Sequence, residues 1–229
     1  MSGIAWLKKT DLPSALPPTS RALTEPNGLL AVGGALTPEW LVHAYRHGAF
    51  PWYSAEQPIL WWAPDPRAVL LPVEFHRSRS LARSIRKRGY VTRIDTAFEA
   101  VIEACAGPRR GMAGTWITPE MHQAYVALHR RGLAHSIETW QGERLVGGLY
   151  GVALGRAFFG ESMFTRETDA SKVALSRLVD ECHRRGVPLI DCQMPSPHLA
   201  SLGSRNLPRA QFEAELARLV GGDELLWRE

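Results

Sequence analysis

The spacing of hydrophobic and polar positions divides the chain into two parts. Up to about Arg67 the apolar residues show little regular periodicity, and the segment is rich in proline, glycine and tryptophan. One short helix is predicted there over Pro38–His47, because Thr37 can cap it. The stretch from Phe50 to Pro66 places tryptophans among prolines, so we expect neither a regular helix nor a central strand in it. We therefore predict a small Trp- and Pro-rich N-terminal domain over residues 1–67.

From residue 68 to residue 229 the apolar pattern becomes regular and predicts a second, larger domain. It begins with a strand over Ala68–Leu71. A helix over Ser80–Arg88 follows, and its 100° periodicity puts Leu81 and Ile85 opposite a basic stripe. Two more helices are predicted, one over Thr96–Ala106 with Asp95 as its cap and one that begins at Thr118-Pro119.

The centre of this domain has the pattern of an antiparallel meander followed by a crossover. A helix is predicted over Ala170–Arg185, with Thr168 or Asp169 as cap and Gly186 as stop, and a strand over Leu189–Gln193. A strand, a helix and a strand over this distance imply a right-handed crossover and a parallel pair. The fold class is therefore a mixed α/β sheet, which resembles the core of the acetyltransferase superfamily. The three strands of the meander, joined by short glycine turns, are Ala134–Trp140, Arg144–Ala153 and Arg156–Met163.

Composition and charge narrow the class of protein further. No run of about 18 apolar residues is present, so no membrane span is expected. The first ten residues lack a hydrophobic signal core. Three widely separated cysteines, Cys105, Cys182 and Cys192, favour a reducing compartment over a disulfide framework, and we expect a cytoplasmic protein. The net charge of +4 is modest, but basic residues cluster over 76–88, as in nucleic-acid-binding surfaces.

Candidate chemistry lies at the ends of two strands that the crossover brings side by side. Period-two alternation sends Phe159, Glu161 and Met163 to one face of the first strand. It likewise sends Asp191 and Gln193 to one face of the second. Carboxylates are seldom buried unless they are paired or functional. If the two faces coincide, these polar groups border an apolar surface; otherwise Glu161 or Asp191 caps a loop or pairs with an arginine.

Several motifs around these positions resemble those of the leucyl/phenylalanyl-tRNA–protein transferase family. The two that carry the candidate acids are Gly160-Glu161-Ser162-Met163-Phe164 and Leu189-Ile190-Asp191-Cys192-Gln193, and the resemblance runs in order from about Leu29 to Phe212. It departs at Asp169, where the family usually has Asn at the start of an Asn-Ala-Ser-Lys motif. The further motifs are Gly28–Gly34, Phe50-Pro51-Trp52, Pro58–Trp62, Pro64–Arg67, Gly114–Ile117, Leu145–Val152 and Ser201-Leu202-Gly203.

The resemblance implies that the α-amine of an acceptor protein attacks the ester of an aminoacyl-tRNA. The ester is already activated, so neither ATP, a metal nor a coenzyme is expected. It implies Leu or Phe, and less well Met, as the transferred residue, N-terminal Arg or Lys on the acceptor, degradation of the product through the N-degron route, and a monomer. Asp191 is the first candidate for holding the amine and accepting its proton, with Glu161 and Gln193 orienting it. Alternatively Asp191 only positions the amine, and the terminal hydroxyl of the tRNA moves the proton.

Binding residues are assigned by strand alternation and family position. Ordinary core packing is the alternative for the predicted side-chain pocket, and a solvated helix face is the alternative for the basic stripe. Trp52 and Trp116 are the predicted platforms on which the terminal adenosine stacks. The pocket is predicted from Leu149, Phe159, Met163 and Ile190, and the contacts to the tRNA backbone from Arg79, Arg83, Arg86, Lys87 and Arg88.

Two other functions fit part of the pattern. An acetyl-CoA-dependent N-acetyltransferase would share the fold, but its pyrophosphate loop has only one partial match, over Arg144–Leu149, and that match lies in a predicted strand. A non-catalytic RNA-binding module would explain the basic helix but not the acids Glu161 and Asp191 at the strand ends.

Overall fold

The computed structural model describes residues 3–107, 117–221 and 227, and it contains two β-sheets with helices packed around them. The strands are β1 (Ala5–Leu7), β2 (Leu29–Gly33), β3 (Phe50–Pro51), β4 (Leu60–Trp62), β5 (Arg67–Leu70), β6 (Tyr90–Ile94), β7 (Ala134–Gln141), β8 (Arg144–Leu154), β9 (Ala157–Thr165), β10 (Leu189–Gln193) and β11 (Arg205–Leu207). The helices are α1 (Pro38–Arg46), α2 (Arg79–Lys87), α3 (Phe98–Ala106), α4 (Pro119–Arg130), α5 (Ala170–Arg185), α6 (Pro197–Ala200) and α7 (Arg209–Leu219).

The first sheet has the strand order β1-β2-β4-β3. The expectation that the stretch from Phe50 to Pro66 holds no central strand is wrong, because β4 pairs with β2 on one side and β3 on the other. The three residues Leu60–Trp62 are free of proline and fit between Pro58 and Pro64. Their backbone N–H groups can therefore join a ladder that the flanking prolines could not.

The second sheet has the order β11-β5-β10-β9-β8-β7-β6 and contains the predicted meander and crossover. Strands β7, β8 and β9 are antiparallel neighbours, and β10 returns beside β9 in parallel through α5. The mixed α/β prediction is confirmed. Helix α5 has the predicted bounds, and Gly186 ends it with a φ of 67°, a left-handed conformation that favours glycine.

Asp95 does not cap α3, and Asp169 occupies the predicted N-cap position of α5 without a side-chain cap, because both aspartates bind other partners. Asp95 accepts hydrogen bonds from the Ser136 backbone (2.8 Å) and the His135 ring (2.6 Å), and α3 begins only at Phe98. Asp169 precedes α5 with a φ of 62° and makes no side-chain cap. Its carboxylate accepts from Ser84 and binds Lys172, which ties α2 to α5.

The buried core forms two clusters, one on each face of the larger sheet. Phe158 and Ile190 belong to one cluster, and Phe159 and Leu189 to the other, as strand alternation requires. The second cluster also includes Trp61 of the smaller sheet, so the two sheets share one core. The domain division at residues 67 and 68 stays a prediction. Among the described residues no helix is long and apolar enough to cross a membrane.

Candidate active site

A gap opens between β9 and β10 where the pairing of the two strands ends. Their parallel register stops at Asp191 opposite Phe159. Beyond that point β9 has a bulge, because Tyr150 pairs with Ser162 while the next residue of β8 pairs with Gly160. Strand β10 also becomes irregular, since Gln193 has a φ of 64°. Bulges commonly redirect side chains beside functional sites.

Glu161 is the extra residue of the β9 bulge, and its carboxylate accepts hydrogen bonds from three donors. The hydroxyls of Tyr45 and Tyr125 donate at 2.7 Å each, and the amide of Gln193 donates at 2.7 Å. The tyrosines come from the buried faces of α1 and α4, far away in the sequence. Tyr125 lies on the buried face of α4, but the sequence pattern gave no signal that it reaches an acid. Each carboxylate oxygen is therefore held in a fixed position beside the gap.

The electrostatic environment of Glu161 shifts its titration into the neutral range. Burial is the largest effect and raises the pKa to about 7, and the charge of Asp191 adds to the rise. The hydrogen bonds from Tyr45, Tyr125 and Gln193 act in the opposite direction because they stabilise the charged form. A carboxyl group with this pKa can exchange a proton with an amine near neutral pH.

Asp191 is completely buried and is paired with an internal arginine. The Nε and Nη2 atoms of Arg67 donate to its two carboxylate oxygens at 2.8 and 2.7 Å. The Arg67 guanidinium in turn lies 4.7 Å from the ring centre of Phe50 and 4.8 Å from that of Phe212. A fork-shaped, stacked contact of this kind is specific to arginine. Arg67 was not predicted as a site residue, because only the fold brings it opposite β10.

Gln193 joins the two acids into one network. Its backbone N–H donates to Asp191 at 2.9 Å, while its side-chain amide donates to Glu161. The predicted trio of Asp191, Glu161 and Gln193 is therefore brought together. Of the three, Glu161 and Gln193 line the adjacent pocket, whereas Asp191 lies behind them.

An apolar pocket of about 250 Å³ opens beside Glu161 and Gln193. Three of the four predicted side-chain pocket residues line it, namely Leu149, Met163 and Ile190. Phe159 does not: it is fully buried and packs on Tyr45 with ring centres 5.0 Å apart. The β9 bulge is the reason, because an extra residue reverses the alternation and puts Met163 on the opposite face from Phe159. The sequence pattern did not select the other lining residues, which include Leu175, Leu178, Cys192, Ser196, His198 and Leu199.

The residues predicted to contact RNA lie on the surface. Arg79, Arg83 and Arg86 are exposed along α2, as are Lys87 and Arg88, while Leu81 faces the core. Trp52 is 43% exposed and packs against Trp62 with ring centres 5.7 Å apart. Trp116 lies outside the described residues.

Comparison with known proteins identifies the family of this chain. The family model described as leucyl/phenylalanyl-tRNA protein transferase matches residues 69–217, and the model of its N-terminal domain matches residues 34–65. The chain belongs to the leucyl/phenylalanyl-tRNA–protein transferase family. The transferase is thus an aminoacyltransferase that acts from tRNA onto proteins.

Individual relatives extend the match over nearly the whole transferase. A leucyl/phenylalanyl-tRNA–protein transferase of Azoarcus sp. (strain BH72) is 59% identical, and the alignment covers 94% of this chain and 90% of the relative. One of Stutzerimonas stutzeri (strain A1501) is 58% identical over 93% of this chain and 94% of the relative. Among solved structures, a GCN5-related N-acetyltransferase from Kribbella flavida matches at 12% identity with a TM-score of 0.39, covering 73% of this chain and 59% of that one.

Proposed function

We propose that the transferase moves Leu or Phe, and less well Met, from tRNA onto the N-terminal Arg or Lys of acceptor proteins. The observation that carries this proposal is the junction of an apolar pocket with the polar pair Glu161 and Gln193. The transferred side chain occupies the space among Leu149, Met163 and Ile190, and its ester carbonyl lies at the polar end. A pocket lined by apolar groups with few polar ones suits an apolar side chain such as that of Leu or Phe.

Glu161 is the group we assign to the acceptor amine. A free α-amine titrates near 7.7–8.0, and Glu161, with its pKa of about 7, can pair with the protonated amine and take its proton. The amine nitrogen then forms a bond to the ester carbonyl carbon, and the bond from that carbon to the ribose oxygen breaks. The ribose oxygen leaves as a hydroxyl group, with the second proton that the amine nitrogen loses as the amide forms. The negative charge also favours an acceptor that carries a basic N-terminal residue.

Asp191 is assigned a positioning role in place of the direct contact first expected. Both of its oxygens already accept from Arg67, and it has no exposed surface. What it contributes is the fixed position of Gln193, whose backbone N–H it binds, and a negative charge that raises the pKa of Glu161. Orientation of this kind is a large part of catalysis when the substrate is already activated.

The remaining parts of the proposal concern RNA binding, cofactors, the oligomeric state and the cellular compartment. The stripe on α2 contacts the phosphates of the acceptor stem, and Trp52 and Trp116 stack on the terminal adenosine. The reaction proceeds without ATP, metal or coenzyme, because the ester supplies the driving force. We also propose a monomer that works in the cytoplasm and marks acceptors for N-degron degradation. Its three cysteines, all within the described residues, form no disulfide, which suits a reducing compartment.

A transfer assay with two isosteric variants tests the assignment of Glu161. Charged leucyl-tRNA and a peptide that begins with Arg are mixed with the enzyme under single-turnover conditions. Glu161→Gln should lower the rate by about 10²–10⁴-fold, the usual contribution of a positioned acid or base. Glu138→Gln is the matched control, because Glu138 is also buried and its pKa is also raised by burial, yet it lies outside the pocket lining. Equal rates for the two variants would remove Glu161 from the mechanism.

A further inference from the structure

Trp6 is an aromatic side chain that the fold leaves exposed on the edge of the smaller sheet. It lies in the middle of β1 and is 73% exposed, while its neighbours Ala5 and Leu7 point to the other side and pack against the core. Strand β1 pairs only with β2 within the described part of the chain, so this edge is open. An exposed tryptophan is a common feature of surfaces that bind a partner.

Trp6 and Trp52 occupy the two ends of one cross-strand row. Trp6 is in register with Val32, and Val32 is in register with Leu60. The backbone N–H of Trp52 donates to the carbonyl of Leu60 at 2.9 Å, which continues the β3–β4 ladder by one residue. Side chains that are in register across a sheet share a face, so both indoles lie on the same face, three strand spacings or roughly 14 Å apart.

One end of this face lies beside the residues behind the pocket. Along β3, Phe50 lies on the same side as Trp52, is 3% exposed, and its ring contacts the Arg67 guanidinium that holds Asp191. Trp52 is therefore the exposed indole nearer to this network, and Trp6 lies farther away, on the edge strand.

Chemistry on the face favours single-stranded RNA over a protein partner. Val32 is buried between the two indoles, so Trp6 and Trp52 are separate exposed rings and do not form one wide apolar patch. A stable protein interface needs a continuous patch, whereas each unpaired base of a single strand needs only one ring. Two exposed lysines, Lys8 and Lys9, directly follow β1 and supply positive charge for phosphates.

We propose that Trp6 stacks on an unpaired nucleotide that precedes the terminal adenosine of the tRNA. The inference rests on the proposed function, in which Trp52 contacts that adenosine. It adds a second stacking position, on a different strand, for the single-stranded 3′ end.

Binding of two uncharged probes, measured by titration calorimetry, tests the inference. One probe is an RNA tetranucleotide that ends in cytidine, cytidine and adenosine, and the other is adenosine alone. Trp6→Ala should weaken the tetranucleotide about ten-fold, the loss expected for one stacked base, and should leave adenosine binding unchanged. Trp6→Phe should restore most of the affinity, because it keeps a ring. Leu12→Ala is the control, since Leu12 is a comparably exposed apolar residue (72%).

Three results would overturn the inference. Equal weakening of both probes would mean that Trp6 acts on the adenosine position, and no weakening of either would remove it from the RNA contact. A change only in the KM for the acceptor peptide would assign the face to the protein substrate. Failure of the wild-type enzyme to transfer leucine refutes the proposed function instead, and this is measured separately from the binding of uncharged RNA.

Discussion

Replacement of Arg67 by methionine should separate the structural and the catalytic contributions of the buried ion pair. Arg67 is 1% exposed and Asp191 is fully buried, so the substitution leaves a carboxylate without its partner inside the protein. Breaking such a pair by removal of one member costs about 3–5 kcal/mol. The two ring contacts of the guanidinium, with Phe50 and Phe212, each add roughly 0.5–2 kcal/mol. Arg67→Met should therefore lower the free energy of unfolding by at least about 4 kcal/mol.

The double variant Arg67→Met with Asp191→Asn should be more stable than Arg67→Met alone. Asparagine removes the buried charge, yet its carbonyl oxygen can still accept from the Gln193 backbone N–H, as Asp191 does now. We expect at least about 2 kcal/mol of the loss to be recovered, because most of the penalty of a broken pair comes from the uncompensated charge. Transfer activity should remain low, since the negative charge that raises the pKa of Glu161 does not return.

Urea unfolding followed by circular dichroism measures these differences, provided that the m-value stays constant among the variants. Arg77→Met is the matched control, because the Arg77–Asp180 pair has the same 2.8 Å contact but is 39% and 53% exposed. It should change the free energy of unfolding by less than about 1 kcal/mol. The assigned role of the buried ion pair would be refuted by either of two results. One is a loss of unfolding free energy for Arg67→Met no larger than that of the control. The other is a loss for the double variant equal to the sum of the losses of the two single variants.

The remaining predictions concern the pH profile, the RNA contact, and the pocket. The single-turnover rate should rise with pH and level off above about 7 as Glu161 loses its proton. Tyr125→Phe should move this rise to higher pH, because the hydrogen bond from Tyr125 lowers the pKa of Glu161. A rise that stays at the same pH would assign the titration to another group. Replacement of Arg83 and Lys87 together by Ala should weaken tRNA binding and flatten its salt dependence by a slope of about 1–2; an unchanged slope in filter-binding titrations would exclude α2 from the interface. Asp191→Ala should lower turnover strongly while tRNA affinity stays nearly constant, and parallel loss of both would contradict a positioning role. Met163→Trp should block the pocket and raise the KM for leucyl-tRNA. Phe159→Leu should leave this KM unchanged, because Phe159 lies outside the pocket lining. Similar KM values for the two variants would place the substrate side chain elsewhere.

Local signals in the sequence were sufficient for most of the secondary structure. Helix α5 has the predicted bounds because Gly186 can adopt the left-handed conformation that ends a helix. Thr37 caps α1 as predicted, and Thr118 caps α4 at the predicted start of that helix, both through hydrogen bonds that span only three residues. The ordered motifs around Glu161 and Asp191 likewise indicated the family, since their residue order is a property of the chain alone.

Tertiary structure decided the arrangement of the site. The β9 bulge reverses the side-chain alternation between Phe159 and Met163. Neither residue type indicates that a bulge lies between them. Tyr45, Tyr125 and Arg67 reach the two acids over separations of 116, 36 and 124 residues. Contacts of this kind depend on the packing of α1, α4 and β5 against one sheet, and no periodicity within a single element encodes them. The sequence by itself therefore selected the two acids that the fold brings together, while packing decided that Glu161 borders the pocket and that Asp191 lies behind it.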